Sequence, residues 1–473
     1  MRKALLISYR FPPQGGGGVQ RTLKYTKYLR QFGWEPVVHT AKNPFWPVWD
    51  ESLLEDVPEG VRVYKTRAFE FERFESRLQG LLGAKAQNGA SAPPPVRPAP
   101  APSSTEARPK QRGGGRLRAV SELVHKHLLI PDPQIAWLPG ALLDGMRILK
   151  RERPSVIYSS SPPNSVHLFA GLLAKRARLP WVADFRDPWT DGPRRRRNYE
   201  NNRPRERIEM AAERWVIRHA DRVVVSAPSL RERFLGKYPF LVPERVSVLT
   251  NGFDPEDFEM EDVGEPLLEP GRFHVVGTGN IEAMFDRRPL YQAIAALIRE
   301  NEGAGRDLTV TLVGAKKGPY QEELRALGLE ERVRYPGWVP HSRSVRYLHE
   351  ADALIMCQLP HAGGGGEKLS GKCFEYLNMR KPIICLTVPG LNADLLRESG
   401  LGHNVDPFDA AEIARTLREL HGRRGEKAVA VEEVISRFDR RSLTGRLAAI
   451  FDEVTSDGYA ANAASSPSSA EHR

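Results

Sequence analysis

Phe273-His274-Val275-Val276-Gly277-Thr278-Gly279 follows a polar, acidic, proline-containing stretch at 254–270. An apolar run of strand length that ends in glycines reads as a buried strand entering a tight turn. The same figure stands at the start of the chain, where the apolar run 4–8 is broken by Pro12-Pro13 and Gly15-Gly16-Gly17-Gly18. Beyond it Val19, Leu23, Thr26, Leu29 and Phe32 recur every three to four residues up to Gly33, the period of one helix face. A strand follows at 36–40, and β-rich runs recur at 156–159, 181–184, 222–226 and 246–250 with helix-length segments between them. After Phe273 the alternation resumes, with runs at 308–313, 332–335, 353–357 and 382–386. Such alternation predicts parallel sheets flanked by helices. The restart at Phe273 makes the expectation an α/β fold of two Rossmann-like domains in tandem.

The predicted boundaries are 1–258 for the first domain, 259–270 for a linker, and 271–427 for the second domain. Terminal helices occupy 428–455, and the Ala/Ser-rich tail 456–473 is expected to be disordered. Residues 84–118 carry seven basic side chains against Glu106 alone and hold no aromatic residue. Seven of the 20 positions from 91 to 110 are proline. This stretch buries too little apolar surface to offset ordering, so it reads as a disordered insertion in the first domain.

That insertion holds much of the net charge of +11 carried by the 473 residues, so the excess is not evidence of a nucleic-acid surface. The block Arg194-Arg195-Arg196-Arg197 follows Pro193 and has no interleaved aromatic residue to stack on bases, which suits a solvated loop or contact with anionic lipid. No apolar run approaches the roughly 20 residues that a bilayer requires. The run after Met1-Arg2-Lys3 is too short for a signal peptide, and the expected location is cytoplasmic or peripheral at the cytoplasmic face of a membrane. Cys357, Cys373 and Cys385 have neither the number nor the spacing of a disulfide framework or a metal site, and read as buried thiols in a reducing compartment.

Two constellations carry chemistry. Gly15, Gly16, Gly17 and Gly18 form a turn before a helix, where bare backbone amides are able to approach an anionic ligand. Neither the Gly-x-Gly-x-x-Gly pattern nor the P-loop Lys-Ser/Thr is satisfied, and a flexible turn is the alternative. The second is Glu367-Lys368-Leu369-Ser370-Gly371-Lys372-Cys373-Phe374-Glu375, preceded by four glycines at 363–366. Ser370 is placed to cap the helix that follows, which aims amides at a diphosphate, and Lys372 adds a full charge. Glu367 and Glu375 suit two sugar-hydroxyl acceptors, although an ordinary solvated helix accounts for their spacing equally well.

With these residues the chain resembles the retaining GT-B glycosyltransferases of family four, whose signature is two glutamates with seven residues between them. The resemblance also rests on Tyr9-Arg10-Phe11-Pro12-Pro13, Asp184-Phe185-Arg186-Asp187-Pro188-Trp189, Thr250-Asn251-Gly252-Phe253-Asp254 and Gly371-Lys372-Cys373-Phe374-Glu375-Tyr376-Leu377. It implies a hexosyltransferase with a nucleotide-sugar donor in the second domain, a glycan or lipid-linked acceptor in the first, and a role in cell-surface polysaccharide synthesis. Glu375 would hold the ribose hydroxyls, Glu367 the sugar hydroxyls, and the amides of Leu369, Ser370 and Gly371 the diphosphate.

The family's Arg and Lys after the first strand of the second domain are displaced here. Gly279 is followed by Asn280, and the first basic residues are Arg287 and Arg288. The usual His-Asp is changed to Arg186-Asp187. Gly314 and Gly337-Trp338-Val339 match the base-binding edge, with Trp338 or Val339 beside the nucleobase. The chain contains no Asp-x-Asp and no His-Glu-x-x-His, so no metal and no cofactor are expected. The competing expectations are a nucleotide-sugar epimerase of the same fold and a non-catalytic scaffold; a phosphorylase would be much longer. The resemblance further implies that the terminal helix returns to the first domain.

Overall fold

The computed structural model describes residues 1–44, 49–68, 124, 127–191, 202–260, 264–279, 286–300, 303–315, 318–358 and 369–456. The predicted insertion 84–118, the block Arg194–Arg197, Glu367 with the glycines 363–366, and the tail beyond Ser456 lie outside the described residues. Two compact units account for the chain, one of residues Met1–Thr250 with Leu443 onward, the other Asn251–Ser442.

The first unit carries a seven-stranded sheet: β1 (Arg2–Ile7), β2 (Trp34–Ala41), β3 (Arg62–Thr66), β4 (Val156–Ser161), β5 (Trp181–Phe185), β6 (Arg222–Val225) and β7 (Val246–Val248). Its order is β3-β2-β1-β4-β5-β6-β7, and every pairing is parallel. The second unit repeats the plan with β8 (Phe273–Thr278), β9 (Leu308–Val313), β10 (Val333–Gly337), β11 (Ala353–Gln358), β12 (Ile383–Thr387) and β13 (Gly402–Val405). These lie in the order β10-β9-β8-β11-β12-β13, again all parallel. Each sheet therefore reverses direction of growth beside its first strand, and such switch points are where open sheets of this kind bind ligands.

Both faces of each sheet are buried, as the continuous apolar runs require. Leu5 and Ile7 of β1 enter one core, and Ala4 and Leu6 enter the other. In β11, Ala353 and Ile355 face one side, and Leu354 and Met356 the other. The sequence runs missed β3 and β13. Both lie at sheet edges and are largely half-exposed, so neither carries an uninterrupted apolar run.

The units divide at Thr250 rather than 258, because Phe253, Phe258 and Leu268 are buried in a core of the second unit. Ile435 joins the same core, so residues 428–442 belong to the second unit as well. From Leu443 the last helix belongs to the first unit: Leu443, Leu447, Phe451 and Val454 pack with Ala4, Leu6 and Trp34. Gly445 permits the approach, since a Cβ there would stand 2.8 Å from Cε1 of Phe32.

A buried charge network ties the middle of the first unit. Arg21 donates from Nε to Asp184 Oδ2 at 2.6 Å and from Nη2 to Oδ1 at 2.9 Å. The same guanidinium donates to the carbonyls of Thr250 (2.6 Å) and Leu249 (2.8 Å), and the hydroxyl of Tyr158 donates to Asp184.

Candidate functional site

In the second unit the residues that follow the strands converge at the switch point between β8 and β11. Gly279 leaves β8 with φ at +81°, and Gly314 leaves β9 with φ at +82°. L side chains avoid this left-handed region, and glycine enters it freely. The Gly314 amide donates to the Gly337 carbonyl at 2.7 Å, fixing the turn beyond β10. A Cβ on Gly314 would lie 3.2 Å from Cα of Gly279, so the two turns sit backbone against backbone.

Helix Gly371–Met379 enters the same edge after β11. Its Tyr376 hydroxyl, fully buried, accepts the Thr278 amide at 2.7 Å and so fixes the helix to the end of β8. That anchor lays Lys372 across the Gly279 turn: a Cβ on Gly279 would be 2.3 Å from Cε of Lys372 and 2.9 Å from Nζ. A cation thus stands over a bare backbone turn, beside the positive end of a helix. Gly279→Ala is expected to cost about 1–2 kcal/mol of stability for its φ. Because the clashing atom belongs to a flexible chain, Lys372 swings aside, and the backbone conformation carries most of the cost. Thermal unfolding checks the stability.

Glu375 is half-buried one turn beyond Lys372. Burial pushes its carboxyl above the usual carboxylate range; His341 and Lys372 act against that shift, and Asp257 adds to it. Cys357, at the end of β11, has its thiol pushed up to about 12 by burial, opposed by the nearby cations Lys372 and Arg287. It is protonated at neutral pH and serves as packing, not as a nucleophile.

The two displaced arginines part ways. Arg287 is buried, with its guanidinium 5.4 Å from the ring of Tyr320 and 5.7 Å from that of Tyr335. Arg288 is exposed and forks onto Asp286, with Nε–Oδ1 at 2.9 Å and Nη2–Oδ2 at 2.6 Å. Its charge is already neutralised by that carboxylate.

Ser370 stands at the N-cap, but its side chain makes no capping bond, and its amide donates to Asn392 Oδ1 at 2.8 Å. Leu369 is buried in the core, which leaves Gly371, exposed, as the open backbone at the helix start. Trp338 is 66% exposed, and Val339 is half-buried against the core. Glu367 lies outside the described residues.

In the first unit, Gly16 is the N-cap of helix Gly17–Tyr28 with φ at +91°, and Gly15 precedes it. A Cβ on Gly17 would meet nothing within 4 Å, whereas one on Gly18 would lie 3.6 Å from Arg10 and 3.7 Å from Arg186. Arg186 donates to the carbonyls of Ser161 (2.8 Å), Gly18 (2.8 Å) and Pro162 (3.2 Å). Burial pulls its pKa down, with Asp187 and Asp184 acting against that. The side chain is a brace between the glycine-rich helix start and the turn after β4, and Asp187 follows it half-buried.

Sequence reasoning gave no individual role to Tyr376, Asn392, His341 or Asp257. Tyr376 is a helix residue with the spacing of core, and only the tertiary pairing with β8 shows its hydroxyl to be an anchor. Among the described residues no helix is long and apolar enough to cross a membrane.

Residues 16–252 match the family model described as glycosyl transferase 4-like domain, and residues 271–423 match glycosyl transferases group 1. The chain is 24% identical over 178 residues to the amylovoran biosynthesis glycosyltransferase AmsK of Erwinia amylovora, which is 37% of this chain and 42% of that protein. It is 23% identical over 211 residues to glycogen synthase of Mycobacterium tuberculosis, 44% of this chain and 48% of that protein. The chain thus spans less than half the length of these curated relatives. Its fold is similar to that of a glycosyltransferase from Rickettsia africae, with a TM-score of 0.56 at 13% identity over 96% of this chain and 99% of that one. It is similar also to Anabaena HepE in complex with UDP, with a TM-score of 0.54 at 14% identity over 96% and 100%.

Proposed function

The chain belongs to the glycosyl transferase 4-like family, and from that premise we propose that it moves a sugar from a nucleotide-sugar donor to a glycan or lipid-linked acceptor, with retention of configuration, in polysaccharide synthesis. The observation that carries the proposal is Lys372 lying across the Gly279 turn, against which the Gly314 turn packs, at the switch point of the second sheet. Cleavage of an anomeric carbon–phosphate-oxygen bond builds negative charge on the departing diphosphate, and a fixed cation beside bare amides stabilises that charge as it forms. Lys372 would meet the diphosphate with the Gly371 amide, Glu375 the ribose hydroxyls, and Glu367 the sugar. Positive charge supplied by protein groups removes the need for a metal.

Thermal unfolding against nucleoside diphosphates in EDTA tests this, since a ligand that binds only the folded state raises the midpoint. A rise with one base, lost in Glu375→Ala, is the expected result. Product analysis with the nucleotide sugar separates transfer from epimerisation. No rise with any nucleotide would favour a non-catalytic scaffold.

The raised carboxyl of Glu375 gives a pH test. Accepting two hydroxyls requires the ionised form, so binding favours loss of the proton. Affinity is expected to be full above the raised pKa and to fall about tenfold per pH unit below it. Within that window, titration in buffers of different ionisation enthalpy should show release of a proton on binding. In Glu375→Gln the profile should be weaker and flat.

A further inference from the structure

Helix Arg203–His219 of the first unit sorts its charges by face. It starts on Asn202, whose side chain accepts the Arg205 amide at 3.3 Å, with Pro204 in the first turn. Its buried face holds Glu209 and Glu213. Glu209 accepts from Arg205 Nε (2.8 Å) and Trp189 Nε1 (3.1 Å), and Glu213 from the Thr190 amide (2.8 Å) and Lys237 (2.7 Å). Its outer face reads Arg203, Arg207, Met210, Ala211, Arg214 and Arg218, all exposed. Spacings of four, three, one, three and four place these six on one stripe of an α-helix. Two carboxylates have turned inward and four guanidinium groups outward, with half-buried Glu206 as the helix's remaining acid.

Apolar groups are set among those cations. Ile208 is 52% exposed, Met210 42%, and Val242 of the neighbouring loop 48%. Arg214 and Arg218 each lie 5.4 Å from the ring of Phe240. An open pocket of about 500 Å³ runs between Met210, Ala211 and Phe240.

We infer that this face docks on an anionic membrane surface, the arginines meeting lipid phosphates and the apolar side chains entering the headgroup boundary. Charge complementarity names the occupant: four outward guanidinium groups call for a phosphate-dense partner. The exposed methionine, isoleucine and valine gain nothing from a nucleic-acid backbone, and the Phe240 ring already has two arginines beside it. A lipid interface satisfies both the charged and the apolar parts of the face. The inference stands on the first unit alone and does not depend on the transferase chemistry.

Co-sedimentation of the full chain with phosphatidylcholine vesicles, with and without phosphatidylglycerol, tests it. Binding should require phosphatidylglycerol and weaken with added salt. Arg214→Gln with Arg218→Gln should lower the partition coefficient about fivefold for each arginine. Met210→Asp should lower it while leaving the salt dependence in place. Arg415→Gln with Arg423→Gln, exposed arginines of the second unit, is the charge-matched control and should bind as the parent does. Unchanged thermal midpoints establish that the variants are folded. Equal partition onto both vesicle types, an equal loss in the control pair, or binding to nucleic acid without binding to vesicles would each overturn the inference.

Discussion

Lys372→Ala is expected to lower kcat/KM with the nucleotide sugar by about a hundred- to a thousandfold, the range seen when one preorganised donor to a developing anion is removed. The midpoint of thermal unfolding should hardly move. Lys372 is half-exposed, and the helix that carries it is held by Tyr376 and by burial of Cys373, Phe374 and Leu377, none of which involves the ammonium. Lys372→Arg should recover only part of the rate, because a planar fork does not fit where a slender chain crosses the Gly279 turn. Arg288→Ala supplies the contrast. Asp286 already holds that guanidinium on the surface, so the change should stay within about threefold. A large loss at Arg288 with a small one at Lys372 would place the diphosphate elsewhere and remove the observation on which the functional proposal rests.

Asp184→Ala is the expected extreme in stability. Removing the carboxylate leaves Arg21, 1% exposed, with a buried charge that meets the carbonyls of Leu249 and Thr250 but has lost its carboxylate. Burial works against the guanidinium; Asp184 first, then Tyr25 and Tyr158, together more than offset it, and the Arg21 pKa stands above its ordinary value. Breaking such a pair costs about 3–5 kcal/mol, which corresponds to a fall in Tm of roughly 10 °C for a unit of this size. The double change Arg21→Met with Asp184→Leu should be milder than either single change, because an apolar pair of similar volume leaves no orphaned charge. Differential scanning calorimetry reads both. If Asp184→Ala unfolds within about 2 °C of the parent, the network is not holding the first unit together.

The sheets were legible because their central strands are buried on both faces and carry unbroken apolar runs; Phe273 to Thr278 is the clearest case. Edge strands β3 and β13 were not, since half their side chains meet solvent. The neighbourhood of Lys372 could be placed from its motif, but the parting of Arg287 and Arg288 could not. Adjacent identical residues look alike in sequence, and only the rings of Tyr320 and Tyr335 and the carboxylate of Asp286 tell them apart. Arg186 was legible only as the changed member of the usual His-Asp pair, and its bracing of the carbonyls of Gly18, Ser161 and Pro162 is a convergence that no spacing announces. The outward stripe from Arg203 to Arg218 was present in the sequence at helical spacing. Its meaning depended on knowing that Glu209 and Glu213 turn inward.

The last helix sets a timetable for synthesis. Arg2 pairs with Asp452 across 450 residues of chain, and Leu6 and Trp34 share their core with Leu443, Leu447 and Phe451. Domains usually mature on the ribosome in the order they are made. Here the first-made unit must wait with one face of its sheet incompletely covered until the final helix has left the exit tunnel, while the later-made unit closes before it. The amino-terminal half of the nascent chain is therefore expected to be the last to become native.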